Sequence, residues 1–316
     1  MEDITIVMPV KNGAAYLTDS LRSIRSQTLS SWELILIDDH SRDQSADVIR
    51  DFAREDSRIT CYLNRGNGIV SALESALENA KGKFITRMDS DDMMPPTRLE
   101  LMINQIKPKH IITGNIEYFS NEHSISPGYL TYQEWLNENL ASENPWSNIY
   151  RECIVASPNW MMMVDELKQI GGFTGLIYPE DYDLTFRWYK NGFMIRHIPE
   201  TTLFWRDHSE RTSRNSDNYS QKSFFNLKIK RFLELDDSGG ELILWGKGPK
   251  LKLTCKILKK HSRPFQVMTL DNFRLIEKTS NPQLLICVYP EHKKRKEIVG
   301  YLKTLDMKMG THYWFL

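Results

Sequence analysis

The N-terminal part of the chain alternates short apolar runs with segments of helical periodicity. Residues 4–10 and 33–37 are nearly continuous apolar runs, the kind found in strands that are buried on both faces of a parallel sheet. Residues 14–27 and 69–77 carry apolar side chains at helical spacing, which predicts amphipathic helices. This alternation of strand and helix predicts an α/β fold with a doubly wound, mostly parallel sheet.

The pattern continues less regularly toward the C-terminus. A helix is predicted after Asp181, ended by Gly192, whereas residues 120–151 show no period that assigns an element. The turn DDSGGE at 236–241 is the clearest change in composition and predicts a domain boundary. Beyond it, strand, glycine-rich turn and helix patterns predict a second, smaller α/β unit.

The stretch FITRMDSDDMMPP at 84–96 is an apolar run that ends in clustered acids. If the strand continues to Asp91, the side chains of Asp89 and Asp91 point to the same side of the sheet. Two carboxylates this close repel each other unless a cation compensates them, and oxygen ligands suit Mg²⁺ or Mn²⁺. The stretch therefore predicts a metal and diphosphate site, while the alternative is that the acids only cap the next turn or helix.

Polar side chains also follow the other predicted strands. Asn12, Asp38 and Asp39 come directly after apolar runs, so they are expected at the carboxyl edge of the sheet, where ligands bind in doubly wound folds. Arg65 and Asn67 precede the helix predicted at 69–77. The alternative role of the two aspartates is to cap the following helix.

Further candidate residues lie in the second half of the chain. Glu180 and Asp181 stand at the start of a predicted helix, and His208 and Arg211 lie in a polar loop within reach of a phosphate. Trp160 is predicted to be exposed. Taken alone, an acid at a helix start is more often a cap, and a single histidine is more often a surface residue.

The composition narrows the class of partner. The chain has 316 residues with 41 basic and 41 acidic side chains, so its formal net charge is zero and no basic field indicates nucleic acid. Its four cysteines lack CxxC spacing, which argues against a zinc or redox motif. No apolar run reaches the about 18 residues that span a bilayer, and the basic start of a signal peptide is missing, so we expect a cytoplasmic protein.

Seven segments in order carry a resemblance to a known family: MPVKNG, LIDDHSRD, GNGIVSAL, RMDSDD, IGGF, PEDYDLTFRWYKNG and RDHSERTS. They resemble the inverting nucleotide-sugar glycosyltransferases of family 2, which have the GT-A fold. The resemblance implies that Asp181 is the catalytic base and that Asp91 and His208 hold the metal ion. Glu180, Trp160 and Arg211 are candidates for contacts with the acceptor or the diphosphate. The donor nucleotide is expected at Pro9, Val10, Asn12, Asp38, Asp39, Arg65, Asn67 and Asp89.

The resemblance implies transfer of a sugar from a nucleotide diphosphate sugar, UDP-linked in preference to others, to a hydroxyl of a glycan or glycolipid acceptor. Polysaccharide or glycan biosynthesis is the expected setting, and Mn²⁺ or Mg²⁺ is the expected cofactor. One alternative is a sugar-nucleotidyltransferase, although the glycine-rich loop that such an enzyme needs after the first strand is missing. The other is a sugar-binding or scaffold subunit that kept the fold without activity.

The expected domain plan is a GT-A domain at 1–215, a helical linker at 216–238 and a small Rossmann-like domain at 239–316. The basic, amphipathic segment 218–235 also permits a peripheral contact with the inner face of a membrane. The motif GKGPKL matches part of a dinucleotide fingerprint, and Asp271 lies where a ribose-binding acid would. We expect this domain to serve packing or homo-oligomer assembly rather than redox chemistry.

Overall fold

The computed structural model describes residues 3–269, 276, 279, 281–288 and 292–316. It contains two compact units, one made of Met1–Glu143 and Val155–Arg214, and the other of Asn144–Ile154 and Asn215–Leu316. The main division between the units follows Arg214, whereas the first domain was predicted to end at residue 215. The segment 216–238, expected as a linker, lies within the second unit.

The first unit is built on a seven-stranded sheet. Its strands are β1 (Ile4–Val10), β2 (Trp32–Asp38), β3 (Ile59–Leu63), β4 (Phe84–Arg87), β5 (His110–Phe119), β6 (Met161–Met163) and β7 (Met194–Arg206). Their spatial order is β3-β2-β1-β4-β6-β5-β7. Strand β6 runs antiparallel to both its neighbours, and the remaining pairs are parallel. The predicted mostly parallel α/β sheet is confirmed.

Helices lie between these strands along the chain, and one short helix follows β7. They are α1 (Ala14–Arg25), α2 (Ser45–Glu55), α3 (Ile69–Asn79), α4 (Arg98–Ile103), α5 (Pro127–Leu140), α6 (Val164–Gln169), α7 (Glu180–Lys190) and the short α8 (Thr212–Asn215). Helix α5 lies in the stretch to which the sequence assigns no element, because its inward face combines Leu136 and Leu140 with half-buried aromatic rings rather than a regular aliphatic stripe.

The core of this unit fixes the edge where the candidate residues lie. Every residue of β2 is buried, and Leu17, Leu21 and Ile24 of α1 are fully buried against the sheet. Burying a side chain of this size stabilises the fold by about 1.5–3 kcal/mol. The carboxyl ends of β1, β2 and β4 are therefore held by rigid elements.

The second unit holds a four-stranded parallel sheet in the order β11-β10-β8-β9. Its strands are β8 (Leu242–Trp245), β9 (Gln266–Met268), β10 (Gln283–Ile286) and β11 (Tyr313–Phe315), and its helices are α9 (Gln221–Leu235), α10 (Gly248–Lys260) and α11 (His292–Thr304). The chain winds from β8 to β9 on one side and from β10 to β11 on the other, as in a small Rossmann-like domain. Asp271 lies outside the described residues.

Helix α9 bears on the predicted membrane contact. Its residues Phe225, Leu227, Ile229 and Phe232 are all at most 2% exposed, so they pack inside the protein and are not free to enter a lipid surface. Within the residues that the structure describes, no helix combines the length and apolar character needed to cross a bilayer.

Candidate active site

The candidate residues lie at the carboxyl edge of the large sheet. They meet there because the last residues of neighbouring parallel strands pair with each other. Val10 at the end of β1 pairs with Asp38 at the end of β2, and Asp38 pairs in turn with Leu63 of β3. The amide of Asp39 then donates to the Val10 carbonyl at 2.7 Å. This edge is where doubly wound folds bind ligands.

Asp39 forms the first corner of the site. Its carboxylate is 3% exposed and accepts hydrogen bonds from Lys11 Nζ at 2.8 Å, Asn64 Nδ2 at 2.6 Å and the Gly68 amide at 2.9 Å. Burial alone raises the pKa of Asp39, but the donors from Lys11 and Asn64 outweigh burial and hold this pKa below its usual value. Asp39 is therefore an ionised carboxylate that ties three turns together.

Asn12 and Asp38 shape the neighbouring loop. The amide of Asn12 donates to Ser41 Oγ at 3.0 Å, and its side-chain Oδ1 accepts from the Arg42 amide at 2.8 Å. Asp38 Oδ1 accepts from the Ser41 amide at 3.0 Å. Asn12 takes a left-handed backbone conformation with φ of 50°, which asparagine tolerates better than most residues. Pro9 and Val10 line the end of β1 beside this loop.

Residues 89–92, which we call the acid turn, form the second part of the site. Strand β4 ends at Arg87, and the Asp92 amide donates to the Asp89 carbonyl at 3.3 Å, so the expectation of an extended strand through Asp91 is wrong. The chain turns here because residues 91–93 follow the end of β7 instead of continuing in the sheet. The carboxylates of Asp89 and Asp91 consequently have different partners.

Arg87 is the partner of Asp89. Its Nε and Nη2 donate to the two carboxylate oxygens of Asp89 at 2.7 and 3.3 Å, and its Nη1 donates to Glu180 Oε1 at 3.3 Å. The side chains of Arg87 and Glu180 are 6% and 2% exposed. One buried guanidinium thus joins the acid turn to the start of α7.

The acid turn is attached to the end of β7 by contacts at every second residue. Met93 forms an antiparallel bridge with Phe204, the Arg206 amide donates to Asp92 Oδ1 at 2.8 Å, and Arg206 Nε donates to the Asp91 carbonyl at 2.7 Å. His208 Nε2 then lies 2.9 Å from Asp91 Oδ2. The contacts are spaced two residues apart, at Phe204 and Arg206 in β7 and at His208 just beyond the end of this strand.

The pKa values of the three aspartates in the acid turn shift in different directions. Burial raises the pKa of Asp91, but the hydrogen bond from His208 and the charge of Arg211 outweigh burial and lower this pKa below its usual value. Burial raises the pKa of Asp89 and Asp92, and the neighbouring Asp91 charge adds to both increases. The turn is a place where added positive charge is stabilising.

Asp181 lies in the first turn of α7, beside Glu180. Its Oδ1 accepts a hydrogen bond from the Tyr182 amide at 2.7 Å. Burial and, next, repulsion from the Glu180 carboxylate raise the pKa of Asp181 to about 7, while Arg87 acts in the opposite direction. A carboxylate with this pKa can accept a proton near neutral pH.

The remaining predicted residues differ in their surroundings. The expectation that Trp160 is exposed is wrong, because its ring is 2% exposed and packs edge-on against Trp188 at 5.3 Å. Arg65 and Asn67 are exposed at the rim, where Arg65 pairs with Glu78 of α3. Arg211 is 9% exposed, and its guanidinium lies 5.0 Å from the centre of the Trp205 ring.

Sequence reasoning missed three residues that hold the site together: Asn64, Arg87 and Arg206. Arg87 had a recognisable signal, because it ends a short strand that is buried throughout, and a buried charged side chain needs a partner. Arg206 has no such signal, because β7 already carries several other charged and polar side chains. Asn64 has none, since an asparagine after a strand is ordinary turn chemistry.

A divalent cation fits Asp91 and His208. Asp91 Oδ2 and His208 Nε2 are 2.9 Å apart, close to the about 3 Å between neighbouring ligands of an octahedral cation with bonds of about 2.1 Å. A carboxylate and an imidazole suit Mn²⁺, and two protein ligands leave positions for water and phosphate oxygens. Among the described residues, no group of three or more His, Cys, Asp or Glu side chains is arranged to hold a metal ion.

Comparison with known proteins identifies the family. The family model described as "Glycosyl transferase family 2" matches residues 5–171, which is more than half of the chain. The chain belongs to this family. The matched region contains β1 through α6 and therefore includes Asp39 and the acid turn.

Three curated relatives illustrate the family. The Escherichia coli "UDP-Glc:alpha-D-GlcNAc-diphosphoundecaprenol beta-1,3-glucosyltransferase WfgD" is 32% identical over 140 residues, covering 42% of this chain and 54% of that protein. The Bacillus subtilis "Putative teichuronic acid biosynthesis glycosyltransferase TuaG" is 33% identical over 98 residues, covering 31% of this chain and 39% of TuaG. The Bacillus subtilis "Putative glycosyltransferase EpsE" is 26% identical over 225 residues, covering 69% and 77%. The chain spans about half the length of the first curated relatives it matches.

Solved structures share the fold. S. aureus TarS 1–349 in complex with UDP-GlcNAc has a TM-score of 0.58 and 18% identity, covering 82% of this chain and 72% of TarS. The mannosyltransferase PcManGT from Pyrobaculum calidifontis, in complex with GDP-Man and Mn²⁺, has a TM-score of 0.57 and 14% identity, covering 87% and 78%. At these identities the likeness shows a shared fold, and the GT-A fold predicted for the family 2 chain is confirmed.

Proposed function

We propose that this family 2 chain transfers a sugar, with inversion, from a nucleotide diphosphate sugar to a hydroxyl of a glycan or lipid-linked glycan. The observation that carries the proposal is the charged chain of contacts along one sheet edge. It runs from Asp181 and Glu180 through Arg87 to the acid turn, and from Asp91 to His208. These contacts support the proposal because they link the proposed proton acceptor to the residues proposed to bind the diphosphate.

Asp181 is the proposed base. Inversion by direct displacement requires a group that takes the proton of the attacking hydroxyl while the diphosphate leaves from the opposite face. With a pKa of about 7, Asp181 is about half deprotonated at pH 7 and is basic enough to accept a proton. Glu180 is proposed to act on this pKa and to hold Arg87 rather than to touch the acceptor.

Asp91 and His208 are the proposed holders of Mn²⁺ or Mg²⁺. When bound, such a cation supplies Lewis-acid stabilisation of the departing diphosphate. Arg211, whose charge already acts on Asp91, adds a fixed positive charge on the same side. The nucleoside is proposed to lie against the loop of Asn12 and Asp38.

UDP is the proposed donor nucleotide. The E. coli relative is named for UDP-Glc, and the S. aureus complex contains UDP-GlcNAc. The Pyrobaculum complex contains GDP-Man, so the fold by itself does not determine which nucleobase the donor carries. The same relative acts on a diphosphoundecaprenol-linked acceptor, and TuaG is named for teichuronic acid biosynthesis. We therefore propose glycan biosynthesis at the cytoplasmic face of a membrane.

The test is nucleotide release from UDP-Glc, UDP-GlcNAc and GDP-Man with Mn²⁺. We expect UDP release from one UDP-sugar, and Asp181→Asn should lower this turnover about a hundredfold to ten-thousandfold while thermal stabilisation by the donor remains. Asp165→Asn is the matched control, because Asp165 is an exposed acid in the first turn of α6, outside the site.

Three results would contradict the proposal. Near-normal turnover of the Asp181→Asn variant would remove Asp181 from the mechanism. Release of pyrophosphate from a nucleoside triphosphate, without release from any sugar nucleotide, would favour the nucleotidyltransferase alternative. A chain that neither binds nor cleaves a sugar nucleotide would fit the non-catalytic alternative.

A further inference from the structure

Arg206 is a buried arginine that contacts two neighbouring residues of the acid turn, Asp91 and Asp92. It is 1% exposed at the end of β7. Its amide donates to Asp92 Oδ1 at 2.8 Å, its Nε to the Asp91 carbonyl at 2.7 Å, and its Nη2 to Asp19 Oδ2 at 3.2 Å. One residue therefore holds the backbone of Asp91 while His208, two residues later, contacts the Asp91 carboxylate.

The guanidinium of Arg206 is fixed from two sides. Its Cζ lies 5.0 Å from the centre of the Tyr16 ring and 4.6 Å from the centre of the Phe119 ring. Tyr16 also packs against the His208 ring, with 4.4 Å between ring centres. A guanidinium placed between two aromatic rings has little rotational freedom, so the direction of its Nε donor is set before any ligand arrives.

We propose that Arg206 is a positioning residue that aims the Asp91 carboxylate at His208 and so pre-forms the cation and diphosphate site. This inference rests on the proposed function, because the site it prepares is the one assigned there to the donor diphosphate. Arg206 itself touches neither donor nor acceptor in this account. Arg206 acts through the Asp91 carbonyl, to which its Nε donates. This hydrogen bond fixes the backbone of Asp91 and thereby directs the Asp91 carboxylate toward His208.

Lysine cannot replace this arrangement. Its single ammonium keeps the charge and the aromatic contacts, but it cannot donate in fixed directions to the Asp91 carbonyl and to Asp19 at once. Arg206→Lys should therefore free the acid turn without leaving an uncompensated buried cavity or removing the positive charge. We expect Arg206→Lys to weaken the metal-dependent binding of the nucleotide diphosphate.

The experiment measures UDP binding by calorimetry, with Mn²⁺ and separately with EDTA. With Mn²⁺, we expect Arg206→Lys to raise the Kd for UDP about tenfold to a hundredfold, the range for a lost hydrogen bond in a charged network. With EDTA, the variant and the wild-type chain should bind UDP equally. A merely structural role of Arg206 would weaken binding by the same factor in both conditions.

Arg58→Lys is the matched control. The Arg58 guanidinium lies 3.7 Å from the centre of the Trp32 ring and donates to both carboxylate oxygens of Asp56, at 3.0 and 2.7 Å. It has the same kinds of contact at the opposite edge of the sheet, where β2 and β3 begin. We expect this control to bind UDP like the wild-type chain in both conditions.

A second variant covers the case in which Arg206→Lys fails to fold. Asp19→Asn removes the charge that anchors Arg206 Nη2, at a position whose side chain is 45% exposed and tolerant of change. It should raise the Kd about two- to fivefold, with Mn²⁺ only. An unchanged Kd in both variants, or an equal loss with EDTA, would overturn the role of Arg206 and leave the proposed function standing. A wild-type chain that binds neither UDP nor GDP with Mn²⁺ would refute the proposed function, and this inference with it.

Discussion

Replacing Glu180 by glutamine should shift the pH dependence of catalysis without removing the base. The pKa of Asp181 is raised from 3.8 to about 7, a difference of about three pH units that corresponds to about 4 kcal/mol. Burial is the largest cause, and repulsion from the Glu180 carboxylate is the next. Glutamine keeps the size of the side chain and an oxygen for Arg87 but removes the repelling charge.

The direction of the pKa shift follows from the repulsion between the Glu180 and Asp181 carboxylates. A like charge stabilises the protonated form of Asp181, so its removal lowers the pKa, typically by about one pH unit for a close neighbour. Activity requires the deprotonated form, so kcat/KM of the wild-type chain should rise with pH and reach half its maximum near pH 7. Glu180→Gln should reach half its maximum near pH 6, which makes the variant about fivefold faster than wild type at pH 6.

The assay is sugar-nucleotide turnover across pH 5 to 9, analysed as kcat/KM because this quantity reports the free protein. Glu134→Gln is the matched control, because Glu134 is an exposed glutamate on α5 and its loss should leave the profile in place. An acid limb near pH 4 in the wild-type profile, or a limb that stays near pH 7 in Glu180→Gln, would contradict this prediction.

Three further outcomes are expected. Asp91→Ala, like a chelator, should abolish donor-dependent nucleotide release, and full activity in EDTA would contradict the metal assignment. Gly82→Ala should lower the melting temperature, at a cost of about 1–3 kcal/mol, because its new Cβ would lie 2.6 Å from the Thr5 backbone nitrogen. Gly300→Ala, in an open helical position, should not lower it. Arg87→Met should reduce the free energy of unfolding in urea by about 3–5 kcal/mol, since the buried Glu180 and the half-buried Asp89 both lose their ion pair with the guanidinium.

The apolar pattern of the chain determined the elements that form the sheet and where the acids stand along it. Strand β1 was predicted at residues 4–10, which are its observed bounds. This works because burial in a parallel sheet requires apolar side chains at nearly every position, and that requirement is visible locally. The placement of Asn12, Asp38 and the acid turn at strand ends was predictable for the same reason.

The tertiary structure alone decided which charges meet. Arg87 and Glu180 are far apart in sequence, and the local sequence around either residue does not indicate that the two form a pair. Asp91 reaches His208 because residues 91–93 leave the sheet and follow the end of β7, although β6 and β5 stand between β4 and β7 in the strand order. Pairings of this kind depend on how the strands are ordered in space, and hydrophobic periodicity carries no information about that order. The pKa of Asp181 follows from the same long-range contacts, since burial and neighbouring charge exist only once the chain has folded.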